Sequence, residues 1–359
     1  MNHDIVRNNF DLIRLFAASQ VAILHVMSYL SWSWHTAPGI QLLELFPGVP
    51  TFFFISGFLI SRSFEKTGSK SDYARNRALR IFPALHACVL INLLLVGATG
   101  YFATVNAGFL DILLLYLGKT TIFQFYNPDF MRHFGDGVLN GSLWTICVEL
   151  QFYFLIPVIY ALAVSDKRRR TNVVLISLIL VSIIINRLLY AVHTEYGASI
   201  YWKLARVSFL PWIYMFLVGV LAQRNFNILS RYLRKNLLMI VLPMYILYMY
   251  FMHSRGFSLD NSISPILFFP LAATVFIAAY SLPNLARKTL HGQDISYGIY
   301  IYHIPIMNMF LYYHYQGSIV YTLVVLLITL AAALASWFLI ERPCLKRKHH
   351  ATHPVTAES

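Results

Sequence analysis

Arg14 and His25 stand in the first apolar stretch of this chain, where a charged or titratable side chain is costly to keep. They are eleven residues apart, which on an α-helix is about 1100° of rotation, within about 20° of coincidence, and about 16 Å of rise. The two share one helix face. Asp11, three residues before Arg14 on that side, can pair with it. A neutral imidazole can take a proton from a hydroxyl, and a guanidinium can hold an anion. Taken singly, Arg14 also fits a boundary anchor and His25 a hydrogen-bonded buried histidine. Aligned on one stripe they argue for a lined path.

Other residues add to that path. Glu149 lies well inside an apolar run that opens with Asn140-Gly141-Ser142-Leu143-Trp144, at a depth similar to that of His25. A carboxylate beside His25 would hold one imidazole tautomer and raise its basicity; the alternative is a structural partner for another helix. Ser142 reads as a helix cap, and Trp144 and Tyr153 fit an aromatic belt as readily as a substrate wall. Arg77 and Arg80, three apart before Ile81-Phe82-Pro83, point one way on a helix and suit forked contacts with phosphates. His303, at the end of the stretch Ile295-Ser296-Tyr297-Gly298-Ile299-Tyr300-Ile301-Tyr302-His303, either lines the same cavity or is structural. His86 and Asn186 read as packing residues. No Gly-rich phosphate loop, His-Glu-x-x-His motif or Gly-x-Ser-x-Gly elbow occurs, and no metal site is supported.

The elements that must position these residues are transmembrane helices. The chain is 58% hydrophobic and 12% charged, whereas soluble domains carry about a quarter charged residues. The net charge of +13 does not indicate a nucleic-acid binder, because the basic residues fall in short runs between apolar segments. Runs of about 20 residues, enough to cross about 30 Å of hydrocarbon, fall near 11–31, 43–61, 81–99, 142–164, 171–190, 205–223, 237–253, 263–282, 295–313 and 319–340. Cys88, Cys147 and Cys344 are far apart and suggest no disulfide framework. The first run is longer than a signal-peptide core and holds Arg14, Gln20 and His25, so it is expected to stay uncleaved.

Lys and Arg gather on the cytoplasmic side of short loops. With both termini inside, 22 of the 28 basic residues fall in inner segments and five in outer ones, and Arg187 lies in a span. This asymmetry requires the remaining run, 107–123, to be re-entrant or interfacial on the outer side, as Asp111 and Gly118 suggest. The polar stretch 124–141 would form an outer lid. The expected fold is all-α: one polytopic membrane bundle over residues 1–345 with about ten transmembrane helices, followed by a basic, disordered cytoplasmic tail over 346–359. No internal repeat of the kind that builds inverted-repeat transporters is visible.

In order along the chain, these motifs resemble the acyltransferase-3 family of integral membrane acyltransferases. The resemblance rests on Arg14 and His25; on Gly48-Val49-Pro50-Thr51-Phe52-Phe53-Phe54-Ile55-Ser56-Gly57-Phe58-Leu59-Ile60; on Arg77 and Arg80 before Ile-Phe-Pro; on Ser142-Leu143-Trp144 leading to Glu149 and Phe152-Tyr153; on Ser296-Tyr297 to His303; and on Glu341-Arg342-Pro343. It implies transfer of an acyl group, usually acetyl from acetyl-CoA, to a hydroxyl of a cell-envelope or exported glycan or glycolipid at the inner (plasma) membrane. By the same resemblance His25 is the catalytic histidine, and Arg14, Arg77 and Arg80 hold the nucleotide end of CoA. Glu149 is the residue expected to orient His25, with Ser142, Trp144, Tyr153 and His303 toward the acceptor. A transporter of a glycan precursor or organic anion is the competing class, with the arginines attracting the anion and His25 relaying protons. A membrane assembly scaffold would explain the spans but not the aligned Arg14 and His25.

Overall fold

A computed structural model describes residues 5–347 except 31–36, 68, 166, 198, 235 and 283. Lys235 of the inner basic count, the last residue of the first expected span and residues 348–359 of the expected tail lie outside the described residues. Among the described residues all regular structure is helical. The main helices are α1 (Phe10–Tyr29), α2 (Gly48–Lys66), α3 (Lys70–Ala98), α4 (Phe109–Thr120), α5 (Trp144–Ala163), α6 (Arg168–Tyr196), α7 (Ile213–Arg224), α8 (Leu237–Ser254), α9 (Pro265–Ser281), α10 (Ser296–Tyr312) and α11 (Ile319–Ser336).

Seven helical stretches among them are long and apolar enough to cross a membrane. The other three expected positions are occupied by α7, α9 and α10, of 12, 17 and 17 residues. The fold is a polytopic helical membrane bundle. α10 is less apolar than a lipid-facing span because it sits inside the protein, with 14 of its 17 residues buried against neighbours. At the periphery, α6 and α8 turn residues such as Ile184 and Met244 outward.

Three expected boundaries move. α3 begins at Lys70 instead of near residue 81, because Ser69 Oγ caps it by accepting from Asp72 N at 3.0 Å. Arg77 and Arg80 therefore lie on a formed helix. The expected span 205–223 is broken into a short helix, Ile200–Arg206, and α7. Pro211 has no backbone N–H to continue the ladder. Trp212 Nε1 donates to the Arg206 carbonyl at 2.8 Å and Asn186 Nδ2 to the Pro211 carbonyl at 2.9 Å, satisfying the break. The run 107–123 becomes α4, whose 12 residues rise about 18 Å, too little to cross the roughly 30 Å core. Phe109, Leu110 and Leu114 face outward, while Lys119 and Thr120 are buried.

Two contacts set the geometry around the site. Asn9 fastens the start of α1: its Nδ2 donates to the Leu282 carbonyl and its Oδ1 accepts from Ala286 N, at 2.8 and 2.9 Å. α2 and α7 touch backbone to backbone at two glycines. A Cβ on Gly57 would lie 2.0 Å from the Phe216 carbonyl oxygen, and one on Gly219 would lie 2.2 Å from that of Phe54. Only residues without a side chain allow this approach. Overpacking a tight contact costs about 1–3 kcal/mol, and backbone against backbone has little room to relax. Gly57→Val is therefore expected to lower the thermal midpoint of the detergent-purified protein by several degrees, and an unchanged midpoint would contradict the crossing.

Candidate functional site

Arg14 of α1 and Arg80 of α3 converge on one carboxylate. Asp294, just before α10, accepts from Arg14 Nη1 at 2.7 Å and pairs with Arg80 Nη2 through the same oxygen, Oδ2. Its other oxygen accepts from Ser296 Oγ at 2.5 Å and Ser296 N at 3.2 Å. Burial alone would raise this carboxyl, but Arg14 and Arg80, with the Ser296 hydroxyl, hold it well below the usual carboxylate range. Arg14 is thus partnered by Asp294 and not by Asp11, as expected from spacing. Asp11 is exposed at the helix start, and Arg14 turns inward to the carboxylate that α10 presents. Arg77 donates to Ser63 Oγ at 3.1 Å and lies over the Tyr153 ring, 5.7 Å from its centroid. Buried Glu341, where α11 ends in a π-helical turn (Trp337–Glu341), accepts from Ser336 Oγ at 3.0 Å within Coulombic reach of Arg80.

A polar crevice runs inward from this cluster. Glu149 Oε1 accepts from Tyr153 Oη at 2.8 Å and from Ser56 Oγ at 3.1 Å. Two adjoining cavities share Arg14, Ser56, Glu149 and Tyr297; one extends to Arg77 and Arg80, the other to Thr145 and Tyr300. Tyr300 Oη and Thr145 Oγ1 are 2.7 Å apart, and the Tyr300 ring lies 6.0 Å from that of His303. The crevice thus leads from the arginines to Tyr300, whose ring neighbours that of His303.

His25 meets His303 rather than Glu149. Nδ1 of His25 is 3.0 Å from Nε2 of His303, whose Nδ1 is 3.2 Å from the Ile299 carbonyl. A carbonyl only accepts, so with both rings neutral the proton of His303 sits on Nδ1. Its Nε2 then accepts from Nδ1–H of His25. The lone pair of His25 is left on Nε2, and the contact with His25 expected of Glu149 is made by His303. Similar depth did not bring Glu149 to His25 because α5 packs on α2, whereas the His25 face of α1 packs on α10.

The remaining candidates divide between scaffold and crevice. Ser142 donates to Asn140 Oδ1 through both its N and its Oγ, so Asn140 is the cap and Ser142 its donor. Asn140 Nδ2 in turn holds the Ile301 carbonyl of α10 at 2.8 Å. Trp144 packs on Trp212, with ring centroids 5.2 Å apart. Tyr153 lies on the arginine side, against Glu149 and Arg77. Asp294 was missed by the sequence reading, although Asp294-Ile295-Ser296 has the pattern of a carboxylate turned back on the following backbone.

Removing one partner of a buried ion pair costs about 3–5 kcal/mol because the other charge is left uncompensated, so Asp294→Asn should lower the thermal midpoint clearly at pH 7. A carboxyl whose folded pKa is depressed contributes stability above its unfolded value of about 3.9 and loses it as pH falls toward the folded value. The midpoint gap between wild type and Asp294→Asn is expected to be flat from pH 8 to about pH 5 and to close only below about pH 4. A gap that closes near neutral pH would contradict the pairing.

No solved structure matches the fold. The chain is 31% identical to nodulation protein 10 of Rhizobium leguminosarum bv. viciae over 95% of its length and 94% of that protein. It is 25% identical to the O-acetyl transferase of Shigella phage Sf6 over 95% of its length and 96% of that protein. The sequence pattern of the acyltransferase-3 family, described as an acyltransferase domain, matches residues 7–341 and so covers the arginines, both histidines and Glu341. The chain belongs to the acyltransferase-3 family, and is a multi-pass membrane acyltransferase.

Proposed function

We propose that this acyltransferase carries an acetyl group from acetyl-CoA, bound at the basic end of the bundle, to a hydroxyl of a cell-envelope or exported glycan or glycolipid at the opposite end. The observation that carries this reading is the contact of His25 with His303, which for two neutral rings puts the lone pair of His25 on Nε2, on the same helix that holds Arg14. The relative named O-acetyl transferase supports the acetyl group. The excess of basic residues at the Arg14 end supports a cytoplasmic orientation for that end, with both termini inside the inner (plasma) membrane, and residues 1–345 act as one domain.

Arg14, Arg77 and Arg80 hold the donor's phosphates. Arg14 and Arg80 each spend one guanidinium nitrogen on Asp294, so Asp294 sets their planes while leaving N–H groups free. The donor's long arm follows the crevice past Glu149, Tyr153 and Tyr297, and the thioester stops beside His25. Nε2 takes the proton of the acceptor hydroxyl as its oxygen attacks the thioester carbonyl. The tetrahedral adduct collapses, the C–S bond breaks, and the imidazolium returns its proton to the departing thiolate. His303 keeps His25 in the tautomer this requires.

A general base of this kind is worth about 10²–10⁴ in rate. His25→Ala is accordingly expected to lose at least 99% of label transfer from radiolabelled acetyl-CoA to glycan in proteoliposomes. Arg80→Ala should raise the KM for acetyl-CoA about tenfold or more, with less effect on kcat. Full glycan acetylation by well-folded His25→Ala would overturn the assignment, as would glycan movement across the bilayer without ester formation.

A further inference from the structure

A cavity of about 430 Å³ opens between α7 and α9 and shares no residue with the crevice beside Arg14 and Glu149. Its walls include Phe54 of α2, Val218 and Ala222 of α7, and Ala273 and Phe276 of α9. A bound water needs about two to four polar partners, and of the lining side chains only that of Tyr232 carries a polar atom. In a bilayer such a space takes hydrocarbon. α8 leaves it open: Tyr245, Met249 and Met252 in the far half of that helix are buried, and Tyr245 Oη donates to the Leu45 carbonyl at 2.5 Å, whereas no residue from Leu237 to Met244 is buried.

The connector from α7 to α8 forms the rim and alternates in character. Leu229, Tyr232, Leu233 and Leu237 line the cavity, while Arg231 and Arg234 between them are exposed. Neither arginine forms an ion pair among the described residues, and no Asp or Glu occurs from residue 225 to residue 259. Arg224, at the end of α7, is by contrast paired with Glu65. Positive charge on a short connector is accounted for by topology alone. Topology does not account for an apolar cavity lined by the same few residues.

We infer that this cavity holds an acyl chain of an anionic phospholipid, whose phosphate is gripped at the rim by Arg231 and Arg234. An amphiphile of that kind meets both halves of the segment at once. Basic residues at the membrane ends of helices hold anionic headgroups, and the forked N–H groups of a guanidinium match phosphate oxygens. Phe54 and Val218 flank the close approach of α2 to α7 at Gly219, so an occupied cavity adds packing where those two helices cross. A ligand bound to the folded protein alone raises its stability.

The test adds dioleoyl phosphatidylglycerol or dioleoyl phosphatidylcholine, which share their chains and differ in head charge, to the full-length detergent-purified protein. Native mass spectrometry counts bound lipid and a thermal melt follows stability. Wild type is expected to bind phosphatidylglycerol about tenfold or more tightly than phosphatidylcholine and to melt several degrees higher with it. Replacing both arginines, Arg231→Gln with Arg234→Gln, should bring the two lipids within about twofold by weakening phosphatidylglycerol alone. Ala273→Phe fills the cavity from its α9 wall, where Ala273 is exposed, and leaves the arginines in place. It should weaken phosphatidylglycerol about tenfold or more at an unchanged lipid-free midpoint; if that midpoint falls, the double arginine variant decides alone. Equal binding of the two lipids by wild type, a preference that survives loss of both arginines, or undiminished phosphatidylglycerol binding by well-folded Ala273→Phe would overturn the site. A dimer that lipid does not displace and that Ala273→Phe abolishes would overturn it as well, by making a second copy of the chain the occupant.

Discussion

The pairing of Arg14 with Asp294 governs much of the architecture. A guanidinium and a carboxylate withdrawn from water attract strongly only when their geometry is held, and here it is held from three helices, because Arg80 of α3 uses the same carboxylate oxygen. That common point sets the height of α10 against α1. Nine residues further along α10, His303 reaches the level of His25, eleven residues along α1 from Arg14. The helices are thus bridged twice, once by charge and once by imidazole. The polar crevice past Glu149 runs alongside them.

The second bridge depends on the first in a directional way. A neutral histidine pair has two arrangements of protons, and the Ile299 carbonyl selects one of them. If α10 slid by one turn relative to α1, His303 and its Ile299 carbonyl would move together away from the level of His25, and the contact between the two rings would be lost. Asn140, Asn92 and Asn308 guard against such a slide, each tying the polar segment before α5 to a neighbouring helix through a backbone carbonyl. Asparagine suits the task because its amide is uncharged and short, and its Nδ2 can donate to a backbone carbonyl.

Much of this was legible in the sequence. Helix periodicity put Arg14 and His25 on one face, and charge asymmetry removed residues 107–123 from the spans, because both signals are local or summed over short loops. Partnerships between helices were less readable. Depth along a helix follows from counting residues, but the direction a side chain takes across the bundle depends on which helices pack together. For that reason Glu149, at a plausible depth, went to Ser56 and Tyr153, while His303 took the place beside His25. Asp294 escaped notice because it lies in a turn, where a single acidic residue among polar neighbours has no periodic signature.

α1 also acts as a ruler. Arg14 and His25 are joined by one uninterrupted helix from Phe10 to Tyr29, so the separation between the arginine and the histidine is set by covalent geometry rather than by side-chain packing. A helix cannot gain or lose a residue between those points without turning His25 by about 100° away from His303. Over this interval the chain is intolerant of insertions and deletions even where the intervening side chains are freely replaceable. Divergence among such enzymes should therefore appear there as substitution alone, with changes of length confined to the connections between helices.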